Sequence, residues 1–379
     1  MIYLDNAATT FPKPSCVIES ISNFIKNECG NPGRSSHILS QKSSEKIFEA
    51  RELISQLFNA DLENIVFTQN TTYALNIAIK SLYTEGCHIL ISDIEHNSVL
   101  RPVYSLYADR KCTYDIFNTS GTDEEILWSI KHKVKKSTKM LICTHLSNVG
   151  CRRLPIKKIG EFCRDNGIIF VVDGAQSAGV YEIDVKSMNI NALCIPGHKS
   201  LYGPQGIGII VFNNAVPIRT IIEGGTGIDT FNRHMPDSLP EMLEAGTPPT
   251  PMIVGLSTSI NWLNSLTTAK IREHEEGLYD LLLSLLRNNE KIKVYNMNNY
   301  SGNTLMFNIL NLSAQNVATL LNEENICVRD GFHCSPFAHK QLLTGKNGAV
   351  RVSFSIFNTK LDVYTLYDAL MNIIIQNKI

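Results

Sequence analysis

Ile168-Ile169-Phe170-Val171-Val172-Asp173-Gly174-Ala175-Gln176 decides the architecture. Its unbroken apolar run, lacking any polar alternation, fits a strand buried on both faces, and Asp-Gly ends it abruptly. Similar runs stand at Asn64–Thr68, His88–Ser92, Lys139–Thr144, Ala192–Ile195 and Gly208–Phe212, among amphipathic helical stretches between Ser15 and Phe212. Strands covered on both faces and joined by helices predict an α/β fold, with a mainly parallel sheet sandwiched by helices. Between Ile222 and Met252 the pattern dissolves into Gly, Pro and Thr, a length without periodicity that in a compact protein is more often functional than idle. Beyond it the spacing predicts a helix over Gly255–Leu286, then strands at Thr304–Ile309, Ile326–Arg329 and Ala349–Phe354, a smaller C-terminal α/β domain. The chain thus divides into a large domain, 15–255, and a small one formed by 1–14 and 256–379.

The 379 residues suffice for two such units, because single cores usually stop growing at about 250–300 residues. Hydrophobic residues make up 44% and charged ones 19%, so the chain folds without a partner. Thirty-five basic against 36 acidic side chains give a formal charge of −1, no field to draw nucleic acid or anionic lipid. That balance points to a small-molecule substrate, and an N-terminus without the basic and apolar regions of a secretory signal, with no apolar run approaching a membrane span, points to a cytoplasmic protein. The ten cysteines include no CxxC pair, which argues against a disulfide framework or a zinc knuckle. A metal site at Cys334 with His333 and His339 would lack a second cysteine at ligand spacing, and none is expected.

In sheets of this kind ligands gather beyond the carboxyl ends of the strands, and reactive residues stand there. Thr71 and Thr72 open a helix after one strand, as an anion site or as plain capping threonines. His96 follows the next, placed to stack on a flat ring or move protons, or as a structural histidine. Asn148 comes after Lys139–Thr144, where an amide can hold a ligand oxygen. Asp173 ends a buried strand, where a carboxylate stays charged only beside a cation such as a protonated pyridine nitrogen; capping a helix is its ordinary alternative. Gly197-His198-Lys199 is the sharpest feature: a lysine after an apolar strand, in a glycine-rich turn, suited to forming a Schiff base with an aldehyde. Together these are the parts that pyridoxal 5'-phosphate requires.

In these segments the chain resembles the class V aminotransferase fold, a fold type I architecture dependent on pyridoxal phosphate, and within it the cysteine desulfurases and selenocysteine lyases. The resemblance runs from Tyr3-Leu4-Asp5-Asn6-Ala7-Ala8-Thr9-Thr10 through Glu95-His96-Asn97, Val171–Gln176, Gly197–Lys199 and Glu244-Ala245-Gly246-Thr247-Pro248 to Val328–Pro336. It implies that Lys199 bonds the cofactor aldehyde, Asp173 pairs with the ring nitrogen, His96 stacks on the ring, and Gln176 and Asn148 contact the ring oxygen. Thr71, Thr72 and His198 would hold the phosphate, and Thr247 would reach the phosphate of a second subunit, so a homodimer is implied. Cys334 matches the cysteine that takes the substrate sulfur, and Arg351 the arginine that grips the substrate carboxylate. Arg351 follows Cys334 by seventeen positions, a short spacing that resembles the group with a compact cysteine loop. Pro196 stands where the family often has a hydroxyl residue on the phosphate. The implied activity converts L-cysteine to L-alanine, leaving a persulfide on Cys334 for a sulfur-acceptor protein; L-selenocysteine is the alternative substrate. A transaminase would not need Cys334, and a silent scaffold would not need Lys199, Asp173, Cys334 and Arg351 together.

Overall fold

In the computed structural model, residues 1–33, 36–213, 216–295 and 302–378 are described. The chain begins with β1 (Ile2–Tyr3), α1 (Ser15–Asn27) and α2 (Ile38–Phe58). The central sheet then alternates β2 (Ile65–Thr68), α3 (Thr71–Leu82), β3 (Cys87–Ser92), α4 (Asn97–Ala108), β4 (Cys112–Phe117), α5 (Asp123–Lys133), β5 (Thr138–Thr144), α6 (Ile156–Asp165) and β6 (Ile169–Asp173). It closes with β7 (Ala192–Pro196) and β8 (Gly208–Phe212).

The seven strands lie in the order β2-β8-β7-β6-β5-β3-β4. From β4 to β7 neighbouring strands are parallel, whereas β8 runs antiparallel to both β7 and β2. Two reversals leave β2 pointing the same way as β7, so the turns after β2, β3, β5, β6 and β7 all open on one edge. Every residue of β2, β3, β7 and β8 is buried, as continuous apolar runs require. β4 escapes the sequence pattern because it is an edge strand: only its two end residues, Cys112 and Phe117, are buried, and Thr113 faces solvent.

After the central sheet come α7 (Thr250–Leu266), α8 (Thr268–Leu286), β9 (Ile292–Tyr295), β10 (Thr304–Ile309), α9 (Ala314–Glu323), β11 (Ile326–Cys327) and β12 (Arg329–Gly331). The last elements are α10 (Pro336–Leu342), β13 (Ala349–Ser353) and α11 (Lys360–Gln376). Four antiparallel strands follow the order β12-β13-β10-β9, and β1 pairs in parallel with β11. The first residues of the chain therefore belong to the later sheet region, where Leu4 packs with Leu305, Phe307, Val350 and Val352.

The single helix expected over Gly255–Leu286 is two. Thr267 takes a left-handed φ of 68° and breaks it, its hydroxyl accepting the Lys270 N–H at the start of α8. Past Ile271, which packs with the α7 residues, the two helices serve different cores. Ile253, Leu256, Ile260 and Leu263 of α7 join the large-sheet core, whereas Leu278, Tyr279, Leu282 and Leu286 of α8 join the small-sheet core. Residue 255, where the sequence suggests a boundary, lies within α7.

Candidate active site

A cavity of about 440 Å³ lies at the common edge of the sheet, lined by residues from the turns after β2, β3, β5, β6 and β7. Thr71, Thr72, His96, Asn148, Asp173, Gln176, His198 and Lys199 all border it. Thr247, Cys334 and Arg351 are not in its wall.

The α3 end is built by Asn70, whose side chain caps the helix by accepting the Tyr73 N–H at 3.1 Å. This frees the two threonines from capping. Thr72 Oγ1 lies 2.8 Å from Ser98 Oγ, while Thr71 Oγ1 is buried with no partner among the described residues. Gly208 makes the close approach possible: a Cβ there would sit 2.5 Å from the Asn70 carbonyl carbon. His198 Nδ1 is a second buried atom without a partner among the described residues. Burial, then Lys199 and Lys13, push the His198 pKa down to about 4, so the ring is neutral. A buried hydroxyl at a helix N-terminus and a buried ring nitrogen on the same cavity, both unpaired among the described residues, suit an anionic group rich in oxygen acceptors.

His96 caps α4, its Nδ1 accepting the Ser98 N–H at 3.0 Å. Nδ1 is therefore the acceptor nitrogen and Nε2 carries the proton. Burial chiefly, with Lys199 and Arg329 adding to it, holds its pKa near 4, so a neutral flat ring faces the cavity.

Lys199 sits on a turn pinned from the N-terminal segment. The His198 carbonyl accepts from Thr10 N–H at 3.1 Å, Thr9 Oγ1 at 3.1 Å and Lys13 Nζ at 2.7 Å. Burial lowers the Lys199 pKa to about 8; Asp173 opposes this, and Arg351 and Arg329 reinforce it. The amine is thus partly unprotonated near neutrality, as a nucleophile needs. Asp173 is buried, accepts one hydrogen bond from the Ala175 N–H at 2.9 Å, and has its pKa raised by burial against the pull of that N–H and Lys199. Such a carboxyl ionises readily only when another cation arrives.

Two side chains are more committed than the sequence suggests. Gln176 Nε2 donates to the Ala7 carbonyl at 2.9 Å. Asn148 Nδ2 donates to the His333 carbonyl at 2.8 Å, and its Oδ1 accepts from Ser335 Oγ at 2.7 Å. Asn148 therefore fastens the cavity wall to the loop of Cys334, an exposed free thiol.

Arg351 reaches the same region from β13. It is almost wholly buried, its Nη2 lies 2.6 Å from Asp5 Oδ1, and its Nε has no partner among the described residues. Arg329 is its cross-strand partner. Asp5 is the functional candidate that sequence reading passed over; its signal was position alone, immediately after the apolar start of the chain. Ser98, which touches both His96 and Thr72, was likewise missed, although a serine two residues after a helix-capping histidine is suited to that bond. Thr247 is exposed and outside the cavity. Its turn is anchored by Glu244, which meets Arg51 Nη2 at 2.5 Å and the Phe67 N–H at 2.7 Å.

Among the described residues no group of three or more His, Cys, Asp or Glu side chains is arranged to hold a metal ion. No helix of the described residues is long and apolar enough to cross a membrane.

The aminotransferase class-V family profile matches residues 2–366. A protein of Methanothermobacter thermautotrophicus named as a probable cysteine desulfurase is 31% identical, over 98% of this chain and 94% of its own. One from Pyrococcus abyssi with the same name is 32% identical over 99% and 94%. Among solved structures, the apo cysteine desulfurase of Thermococcus onnurineus superposes with a TM-score of 0.90 at 29% identity, covering 99% of this chain and 95% of that one. A cysteine desulfurase of Escherichia coli gives 0.86 at 26% identity, over 98% and 94%.

Proposed function

We propose, from the premise that this chain belongs to the aminotransferase class-V family, that it is a cysteine desulfurase holding pyridoxal phosphate in the cavity around Lys199. The observation that carries the cofactor is the content of that one cavity. A lysine of lowered pKa, a buried carboxyl and two buried polar atoms without partners among the described residues, one at the start of α3 and one on the turn after β7, fit an aldehyde, a ring nitrogen and a phosphate in turn. When bound, pyridoxal phosphate supplies an electron sink for negative charge at the substrate α-carbon.

In this reading Lys199 bonds the aldehyde and later takes the α-proton at Nζ. Asp173 keeps the ring nitrogen protonated, and His96 covers the ring as a neutral imidazole. Thr71, Thr72 and His198 hold the phosphate, Gln176 and Asn148 face the ring oxygen, and the partner subunit of a homodimer adds its own Thr247. Arg351 grips the substrate carboxylate. The Cys334 thiolate attacks the substrate sulfur: an S–S bond forms, the C–S bond breaks, and alanine leaves after its β-carbon is protonated. The persulfide then passes to an acceptor protein.

The sulfur chemistry is supported by the hydrogen bonds that bring both neighbours of Cys334 onto Asn148 of the cavity wall, and by the cysteine desulfurase name of the relatives. The test is incubation of the loaded protein with L-cysteine and, separately, L-selenocysteine, measuring alanine with sulfide or selenide. Alanine from L-cysteine in step with persulfide is expected. A keto acid in place of alanine would make the protein a transaminase.

A further inference from the structure

Cys334 is exposed, yet its two neighbours His333 and Ser335 are buried. His333 and Cys334 adopt φ values of 50° and 58°, in the left-handed region where residues with a Cβ stay only when their surroundings hold them. Three sets of contacts do so. The Asn97 N–H, at the start of α4, donates to the Cys334 carbonyl at 2.7 Å. His333 Nδ1 lies 3.0 Å from His339 Nε2, and His339 Nδ1 lies 2.9 Å from Thr344 Oγ1. On the cavity side, Asn148 takes His333 by its carbonyl and Ser335 by its hydroxyl.

The Ser335 hydroxyl bond is unusual for its place. Ser335 occupies the N-cap of α10, where a serine ordinarily turns its oxygen onto the helix's free N–H groups. Here it makes no capping bond. It is fully buried and spends its proton on Asn148 Oδ1, a side chain that lines the cavity. The hydroxyl thus serves the loop and the cavity wall, not the helix.

We infer that Ser335 is a positioning residue for Cys334, acting through Asn148: the Ser335–Asn148 hydrogen bond fixes the thiol-bearing turn relative to the cavity, so that the sulfur meets a substrate already seated there. The inference rests on the desulfurase reading of Cys334, but the bond's effect on the turn is measurable without turnover. Because α10 receives no cap from Ser335, removing the hydroxyl should leave that helix intact.

The experiment pairs hydrogen exchange in the cofactor-free protein with steady-state kinetics of the loaded one. Ser335→Ala is expected to speed exchange of the amide of residue 335, which donates to the Phe332 carbonyl at 3.0 Å, by about tenfold, because the local opening loses a buried bond. Asn148→Ala is expected to do the same, and the double variant to exchange no faster than Asn148→Ala alone, as residues acting in series require. In turnover, Ser335→Ala should lower kcat about tenfold with KM for L-cysteine within about twofold, since substrate binding is untouched and only the approach of the sulfur suffers. Ser335→Cys, similar in size but a weak donor, should repeat both losses, which a packing role would not produce. Exchange and kcat at the wild-type level in both variants would overturn the inference. So would a double variant whose exchange shows the two factors multiplied. Absence of alanine formation by the wild-type protein would sink the desulfurase reading, while the exchange cycle would still decide the tether.

Discussion

Asp5→Asn removes one negative charge and little else, and the structure fixes what should follow. Arg351 has about 1% of its side chain exposed, and Asp5, at 21%, is the only acidic group paired with it among the described residues. Its cross-strand neighbour is a second arginine, Arg329. Taking away the partner of a buried charge costs about 3–5 kcal/mol; since Asp5 retains some contact with water, the lower end, about 3 kcal/mol, applies. An unfolding entropy of about 2.1 cal/mol/K per residue gives about 0.8 kcal/mol/K for a chain of this length, so Tm should fall by about 4 °C. The assay is differential scanning calorimetry of the cofactor-free protein at neutral pH and low salt. Asp109→Asn is the control: its partner Lys111 is 3.8 Å away and both side chains are largely exposed, so less than about 1 °C is expected. A Tm for Asp5→Asn within 1 °C of wild type would refute the claim that Asp5 offsets the cost of burying the Arg351 charge.

Uptake of pyridoxal phosphate by the cofactor-free protein should quicken as pH rises through about 8 and then level off. Lys199 attacks as the free amine, and below its lowered pKa the ammonium form predominates; a stopped-flow absorbance profile flat from pH 6.5 to 9.5 would contradict this. Asp173→Asn should reduce alanine formation about 10²–10³-fold, the usual loss when one preorganised charge is removed. The same variant should not lower Tm in the cofactor-free state, where burial already disfavours the carboxylate; a large drop would mean that Asp173 serves the fold and not the ring.

Much of this was legible in the sequence because the central strands are buried on both faces and leave uninterrupted apolar runs. Gly208–Phe212 and Thr304–Ile309 are observed with the predicted ends. β4 left no such run, since an edge strand needs only part of its surface apolar. The helix over Gly255–Leu286 read as one element because both halves are apolar; the break at Thr267 accompanies a change of core, from the large sheet for α7 and Ile271 to the small sheet from Leu278 onward, a tertiary fact. Residues just past strand ends, such as Asp173 and Lys199, were visible because topology sends those turns to one edge. Asp5 and Ser335 were not singled out, because their partners Arg351 and Asn148 lie 346 and 187 positions away. Contacts closed over such spans leave no local spacing to read.

The central claim is that Cys334 takes the substrate sulfur, and intact-protein mass spectrometry tests it most directly. After brief exposure of the loaded protein to L-cysteine and trapping with an alkylating reagent, one added sulfur should map to the peptide containing Cys334, with an equivalent of alanine formed. Cys334→Ser should retain the cofactor and change its absorbance on adding L-cysteine, yet gain no sulfur and form no alanine, because a serine hydroxyl is scarcely ionised near neutrality. Alanine formation by Cys334→Ser at the wild-type rate, with no sulfur on the native protein, would contradict the account.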